Sequence, residues 1–343
     1  MSKRGTWVLD PSIDNDRLEM LYGQLAGILL QLSTPSLPLI GSLSQIDDFT
    51  WEVARRPLSM NMNELVRLGG LPRSKLPELC ATFNTSSSYL EALADLKIEH
   101  LVHQRNDAVE SADDCRRKFV ARQLFRKLAR DKRLTNPLLE NGPFKIWCDD
   151  LRPANVLLNE SMRIAGVVDW VFTYAAPVEF SHAPPWWLLI EKPELWSKGI
   201  EDWTTVFDYR LKTFLKVMKD CEDTAIQRGS LGEDQRLSGP MHESWESGKI
   251  DPRFFGPTEN PEGAWKERLD LLDEKEKDEM ELLVIRKLKE MDTRTLAWDP
   301  DEYTVAFRQQ LKSREETEKE GKVRLEDNGL KEDGQWDRSN GTL

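Results

Sequence analysis

The amino-acid sequence predicts an α+β fold, mainly helical, whose strands are gathered in a short central block. Three observations lead there. Leucine-rich segments with a 3.6-residue period stand on both sides of the middle of the chain. From Pro143 onward, PFKIW, NVLLN and RIAGVVDW are short, β-branched and separated by polar turns, which is the pattern of three closely linked strands. At 343 residues, 39% hydrophobic and 31% charged, the chain can bury a large core while keeping a polar surface.

The elements follow in order. Leu18, Leu21, Leu25, Ile28, Leu29 and Leu32 predict a helix from Asn15 to Leu32, within which Gly23 and Gly27 are expected to admit a closely packed neighbour. Pro35, Pro38, Pro57, Pro72 and the Gly69-Gly70 pair break the next stretch, so 33–75 reads as loops with one short helix at most. A serine-rich cap, Thr85 to Ser88, opens a second helix carrying Leu90, Leu93, Leu96 and Leu101. A third, from about Asp113 to Arg130, buries Phe119, Val120, Leu124 and Leu128. Its basic face (Arg116, Arg117, Lys118, Arg122, Arg126, Lys127) reads as solvated surface, with an anion site as the alternative. After the strands, Trp203, Phe207, Leu211, Phe214 and Met218 form one stripe of a helix from Glu201 to Met218. The stretch 223–268 is rich in Gly, Pro and Ser and reads as loops, and Leu269 to Met291 reads as a long charged amphipathic helix. The final stretch is dense in charge and poor in apolar residues, which divides the chain into a folded part, 6–310, and a disordered tail, 311–343.

A net charge of −12 argues against a general nucleic-acid binder, because phosphate backbones require a basic face. No apolar run approaches the roughly 18–20 residues that span a bilayer, so no membrane partner is expected. The start lacks the apolar core of a secretory signal, and Cys80, Cys115, Cys148 and Cys221 lie far apart. That usage suits reduced thiols and a cytoplasmic location. Nothing in the sequence specifies an oligomeric state.

The chemistry concentrates in IWCDDLRPANVLLNESMRIAGVVDW. Asp150 is followed five residues later by Asn155, then by an apolar strand, a turn and a second strand ending at Asp169. Phosphoryl transfer uses such parts: one carboxylate to orient the acceptor hydroxyl and take its proton, and an amide oxygen and second carboxylate to hold Mg2+ against a polyphosphate. The alternative is structural: Asp150 and Asn155 cap turns and Asp169 ends a strand.

Beyond this stretch, LYGQLAGILLQLS, IGSL, HLVHQRNDAV, DDCRRKFVARQLFRKLA, GPFKIWCDDLRPANVLL, GVVDW, YAAPVEFSHAPPWWLL and RLSGPMHESWESG together resemble the fungal branch of the aminoglycoside phosphotransferase (choline-kinase-like) family. The resemblance runs to about residue 310. It implies the larger, mainly helical C-terminal lobe of a protein-kinase-like fold, holding a small catalytic β-hairpin. By this likeness Asp150 matches the catalytic Asp, Asn155 and Asp169 match the metal ligands, and the cofactors are ATP and Mg2+. The acceptor is a hydroxylated small molecule of unspecified identity. Two departures stand out. Cys148 occupies the place of a His that supports the family's loop, with a second acidic residue, Asp149, beside it, read as a solvated side chain rather than a metal ligand or a group that shifts a neighbour's pKa. The family's ATP-gripping small lobe is also expected to be missing, since no glycine-rich phosphate loop or strand lysine precedes the helices. An ATP-dependent phosphotransferase, incomplete as this chain, and a non-catalytic remnant that binds a ligand or partner are therefore both open.

Other candidates are weaker. His100 and His103 lie three apart on a helix without a further Cys or His ligand nearby, which makes a poor metal site. His182 and the rigid Pro184-Pro185-Trp186-Trp187 run read either as core or as the lining of an acceptor pocket. Arg152 and Pro153 read as residues that shape the loop, with an Arg-phosphate contact as the alternative. If the tail is disordered, a chain ending at Gln310 keeps the melting temperature of the full chain. A fall of several degrees in a thermal melt contradicts it.

Overall fold

The computed structural model describes residues 13–57, 66, 71–104, 108–189, 196, 198–246 and 263–293. The tail expected over 311–343 lies outside them. Helix α1 (Asn15–Ser33) begins where the Asp14 carboxylate accepts the Arg17 N–H at 2.9 Å, satisfying a donor that a helix start otherwise leaves unpaired. Its buried stripe of Leu18, Tyr22, Ala26 and Leu30 packs with α5 (Ile200–Gln227), whose Trp203, Phe207, Leu211, Phe214 and Met218 are all buried. Tyr22 meets Phe214 edge-on at 5.6 Å, and its hydroxyl donates to the Leu188 carbonyl at 2.8 Å. Gly23 and Gly27 do not serve this packing. A Cβ at either would meet nothing within 4 Å, because both face an open groove beside the α1–α5 contact.

Helix α5 runs on past Met218 to Gln227, and the added turns carry Glu222. That side chain is fully buried, yet it accepts the N–H groups of Leu237 and Ser238 at 2.7 and 2.8 Å and the Ser238 hydroxyl at 2.6 Å. It thereby caps α6 (Ser238–Glu246), a helix in a stretch the sequence reads as loop. Ser-Gly-Pro looks like turn punctuation, but Ser and Pro are equally helix-start residues, and the acceptor that decides between them lies far back in the chain.

A hairpin likewise replaces part of the loop expected over 33–75. Strands β1 (Ser42–Gln45) and β2 (Trp51–Arg55) pair antiparallel, and the Asp47 carboxylate closes their turn by accepting from the N–H groups of Phe49 and Thr50 at 2.9 and 2.8 Å. Helices α2 (Ser86–His103) and α3 (Ala112–Arg130) open on the hydroxyl caps of Thr85 and Ser111. With α7 (Ala264–Glu267) and α8 (Glu274–Thr293), α3 encloses a second core around Phe119, Leu124, Leu128, Trp265 and Leu283. The basic face of α3 is only partly solvated: Arg117 and Lys127 are exposed, whereas Arg116, Lys118, Arg122 and Arg126 are half-buried. Arg116 pairs with Glu281 on α8 at 2.7 Å, Arg117 and Lys118 pair with Asp114, and Arg122 donates to the Lys97 and Lys118 carbonyls. Carboxylates and carbonyls from α2, α3 and α8 take up the cations.

The central block holds four strands rather than three. β3 (Lys145–Cys148) pairs antiparallel with β6 (Thr173–Ala176), and β4 (Val156–Leu158) pairs with β5 (Ile164–Val167). β6, too short for alternation to register, carries the buried Tyr174, joins β3 to a core of Ile40, Tyr89, Leu90 and Phe144, and is followed by the one-turn helix α4 (Val178–Ser181). The chain is thus a mixed α+β fold with small antiparallel sheets. Among the described residues no helix is long and apolar enough to cross a membrane.

Because Glu222 serves three donors in a buried place, Glu222→Ala is expected to lower unfolding free energy by about 2–4 kcal/mol in a denaturant titration, with Glu222→Gln losing less. A loss under about 0.5 kcal/mol, the range of ordinary surface substitutions, contradicts the capping role.

Candidate functional site

β3 ends at Cys148, and the loop that follows tightens at once into a single 3-10 turn, Pro153–Asn155. Proline suits the first position of such a turn, where no N–H is required. The turn buries Asn155, leaving 7% of it exposed, so its amide must find partners inside the loop. Its Nδ2 donates to the Asp150 carbonyl at 2.7 Å and to the Asp150 Oδ2 at 3.0 Å. The Arg152 Nε lies 2.9 Å from the other carboxylate oxygen, Oδ1. Asp150 is therefore held in one orientation by donors on both oxygens. With both Nδ2 bonds directed at Asp150, the amide oxygen is the Asn155 atom suited to a cation.

The β4–β5 hairpin sets the second half of the site. Val156 pairs with Val167, and the Val168 N–H continues the ladder by donating to the Asn155 carbonyl at 2.9 Å. Asp169 follows directly, in left-handed backbone with φ of 63°. Asp is among the few non-glycine residues that enter that region readily, and the turn reverses the chain toward β6. The loop is tied at its far end too, by the Asp149 N–H donating to the Phe172 carbonyl at 3.2 Å. From α1, Gln24 grips the hairpin: its Oε1 accepts the Ile164 N–H at 2.7 Å and its Nε2 donates to the Met162 carbonyl at 3.2 Å. Sequence reading passed over Gln24, which shares a mixed polar and small-residue flank of α1 with Glu19, Gly27 and Gln31.

Of the three expected site residues, Asp150 and Asn155 are thus in direct contact, and Asp169 is one residue from a backbone bond to Asn155, on an exposed loop. The available donors, a carboxylate and an amide oxygen, are the hard ligands Mg2+ prefers. Among the described residues no group of three or more His, Cys, Asp or Glu is arranged to hold a metal, so a cation here would draw its remaining ligands from phosphate and water. At the other candidate pair, the Nδ1 of His103 engages the Glu99 carbonyl of its own helix at 3.0 Å. Burial, aided by Arg122, Lys97 and Lys287, pushes His100 down to about 4, and those cations oppose a dication there.

Asp149 is half-buried rather than freely solvated. Its Oδ1 accepts from the Trp147 indole at 2.9 Å and the Tyr174 hydroxyl at 3.2 Å, and Tyr174 in turn meets the Tyr89 hydroxyl at 2.9 Å. The chain of phenols anchors the loop to the core. Burial raises both phenols above their ordinary value, and the Asp149 charge adds to the effect. Cys148 is buried in the same core as Leu151 and Trp187. The Pro184-Pro185-Trp186-Trp187 run lines a cavity of about 160 Å³ whose other wall is the loop itself, through Trp147, Asp149 and Leu151.

No family model, no curated protein and no solved structure matches the chain. The site is therefore read from its own geometry.

The phenol network has a measurable consequence. Tyr22, Tyr89 and Tyr174 are all held above the ordinary value of 10.0 in the folded chain, chiefly by burial. The unfolded chain releases these protons first, so stability falls as pH rises through and beyond about 10. Phenolate absorbance at roughly pH 11 should count fewer than the chain's five tyrosines, the remainder appearing together with unfolding. Full ionisation without unfolding contradicts the burial of the network.

Proposed function

We propose that the chain belongs to a phosphotransferase lineage and supplies the base and the metal ligands for transfer of phosphate from ATP to a hydroxyl group of a small molecule. The observation that carries this reading is the bond from the Asn155 amide to both the carbonyl and the carboxylate of Asp150. That bond orients the base and leaves the amide oxygen as the Asn155 atom to face a cation. Asn155 and Asp169 would hold Mg2+, which when bound would supply positive charge to offset that of the phosphates. Asp150 receives the acceptor proton on a free lone pair of its carboxylate, since each oxygen keeps capacity beyond its one donor. Arg152, 45% exposed beside Asp150, adds positive charge where the phosphate oxygens would gather.

A second observation supports the reading. Leu157, Leu158, Val168, Trp170 and Val171, on the hairpin and the loop after it, are exposed. Apolar side chains around a polar site mark a surface meant to be covered, here by a nucleotide base and the element that grips it. That gripping element is expected from outside the described residues, since neither β1 nor β2 carries a lysine. The alternative, a non-catalytic protein that binds a ligand or partner, draws on the donors already present on both Asp150 oxygens.

The two readings part in a transfer assay. The chain alone should hold Mg-ATP too weakly for calorimetry at millimolar concentration. Joined to a phosphate-gripping small lobe, it should phosphorylate a hydroxylated acceptor, and Asp150→Ala should cut turnover by about 10²–10⁴-fold, the usual worth of a general base. Turnover that survives Asp150→Ala contradicts the assignment. Tight Mg-ATP binding by the chain alone places the nucleotide elsewhere.

A further inference from the structure

Three buried side-chain oxygens in one neighbourhood, Ser86 Oγ, Glu140 Oε2 and Glu179 Oε2, have no hydrogen-bond partner among the described residues. Three segments meet there: the first turn of α2, the turn 136–142 that follows α3, and α4. Ser86 is fully buried, and its N–H donates to the Glu140 carbonyl at 2.9 Å. The Ser87 hydroxyl donates to the other carboxylate oxygen of Glu140, Oε1. From α4, the Glu179 Oε1 accepts the Asn136 N–H at 2.9 Å. The Ser86 hydroxyl points toward the Glu179 carboxylate without reaching hydrogen-bonding geometry. Each carboxylate therefore has one oxygen served by the chain and one closed off from solvent without a donor.

Charge decides what meets these oxygens. Burial, and then the charge of Glu140, push the Glu179 carboxyl above its ordinary value. The partners of both carboxylates are N–H and O–H groups, with no lysine or arginine among them in the described residues. Buried polar atoms left without partners call for an explanation. A neutral donor would meet the oxygens and leave both charges buried. A proton shared by the carboxylates would leave one charge and the Ser86 oxygen unmet. A divalent cation meets all three oxygens and both charges. Carboxylate and hydroxyl oxygens are hard ligands, which select Ca2+ or Mg2+. Mg2+ gives up its water shell reluctantly, and the oxygens here are closed to water. Two bidentate carboxylates and a hydroxyl supply about five of the roughly six to eight oxygens that Ca2+ takes in irregular geometry.

We propose that Glu140, Glu179 and Ser86 form a calcium site that ties the start of α2 and the turn 136–142 to α4. The site shares no residue with the loop that carries Asp150, and it stands without the phosphotransferase reading. Its role is structural. α4 follows directly on β6, and β6 pairs with β3, the strand from which that loop departs. An ion held between α2 and α4 therefore steadies the frame behind the loop.

The full chain, freed of metal with EDTA and dialysed, is melted with and without millimolar CaCl2. Calcium should raise Tm by at least about 3 °C, as a ligand of the folded chain does. Calorimetry should show a saturable site that is retained in Asp169→Ala. Glu179→Gln keeps the shape of the side chain and removes its charge, and should weaken calcium by at least about tenfold. If Glu179→Gln fails to fold by circular dichroism, Ser86→Ala is read instead, and should also weaken calcium. No rise in Tm overturns the inference, as does a rise that is unchanged in the variant that folds or lost in Asp169→Ala. An equal rise with MgCl2 overturns the calcium class. A carboxyl held above its ordinary value is most stabilising when protonated, so a shared proton has its own signature. A Tm that climbs as pH is lowered from about 7.5 to about 5.5 and ignores calcium assigns the pair to a proton and overturns the ion.

Discussion

A buried primary amide must place two protons and an oxygen, and at Asn155 both protons are directed at one residue. The bond from Nδ2 to the carbonyl and carboxylate of Asp150 closes the loop after β3 into a fixed shape. An unmet amide in that position would cost about 1–3 kcal/mol, so the loop is held in one conformation rather than sampling several. The hairpin that carries Asp169 is then appended to this loop by backbone, through Val168 at one end and Phe172 at the other.

Much of the remaining fold can be understood as support for that loop. Gln24 brings the hairpin against α1, and the Tyr22 hydroxyl brings the Trp186–Leu188 turn to the same helix. Asp149 and the two phenols tie the loop downward into the core around Ile40 and Phe144. Glu222 fixes α6, whose Leu237 and Met241 complete the apolar cavity on the other side of the loop. Helices thus surround a short segment in which Asp149, Asp150 and Asn155 are each held by a named bond. A site that depends on positioning and electrostatics needs that kind of frame.

The long apolar stripes of α1 and α5 were legible in the sequence because burial on one helix face imposes a 3.6-residue period. So was the Asp150, Asn155 and Asp169 spacing, with contact between the first two now explicit. What was not legible depends on partners distant in the chain. The α6 start needs Glu222, the α3 cations need Glu281 and Asp95, and β6 needs β3. Asp149 looked like a spare surface charge because its donors, Trp147 and Tyr174, come from two strands that the sequence does not pair. The β1–β2 hairpin was hidden for a different reason: both strands are short and none of their residues is fully buried, so no alternation marks them.

The central claim is that Asn155 and Asp169 turn oxygens toward one cation beside Asp150. Crystals of the chain grown with Mn2+ and tripolyphosphate test it through the anomalous signal of the metal. The proposed site predicts one peak at about 2.0–2.3 Å from the Asn155 amide oxygen and from a carboxylate oxygen of Asp169. A manganese peak elsewhere, or Asn155 with its oxygen turned into the loop and no metal bound at saturating Mn2+, would contradict it.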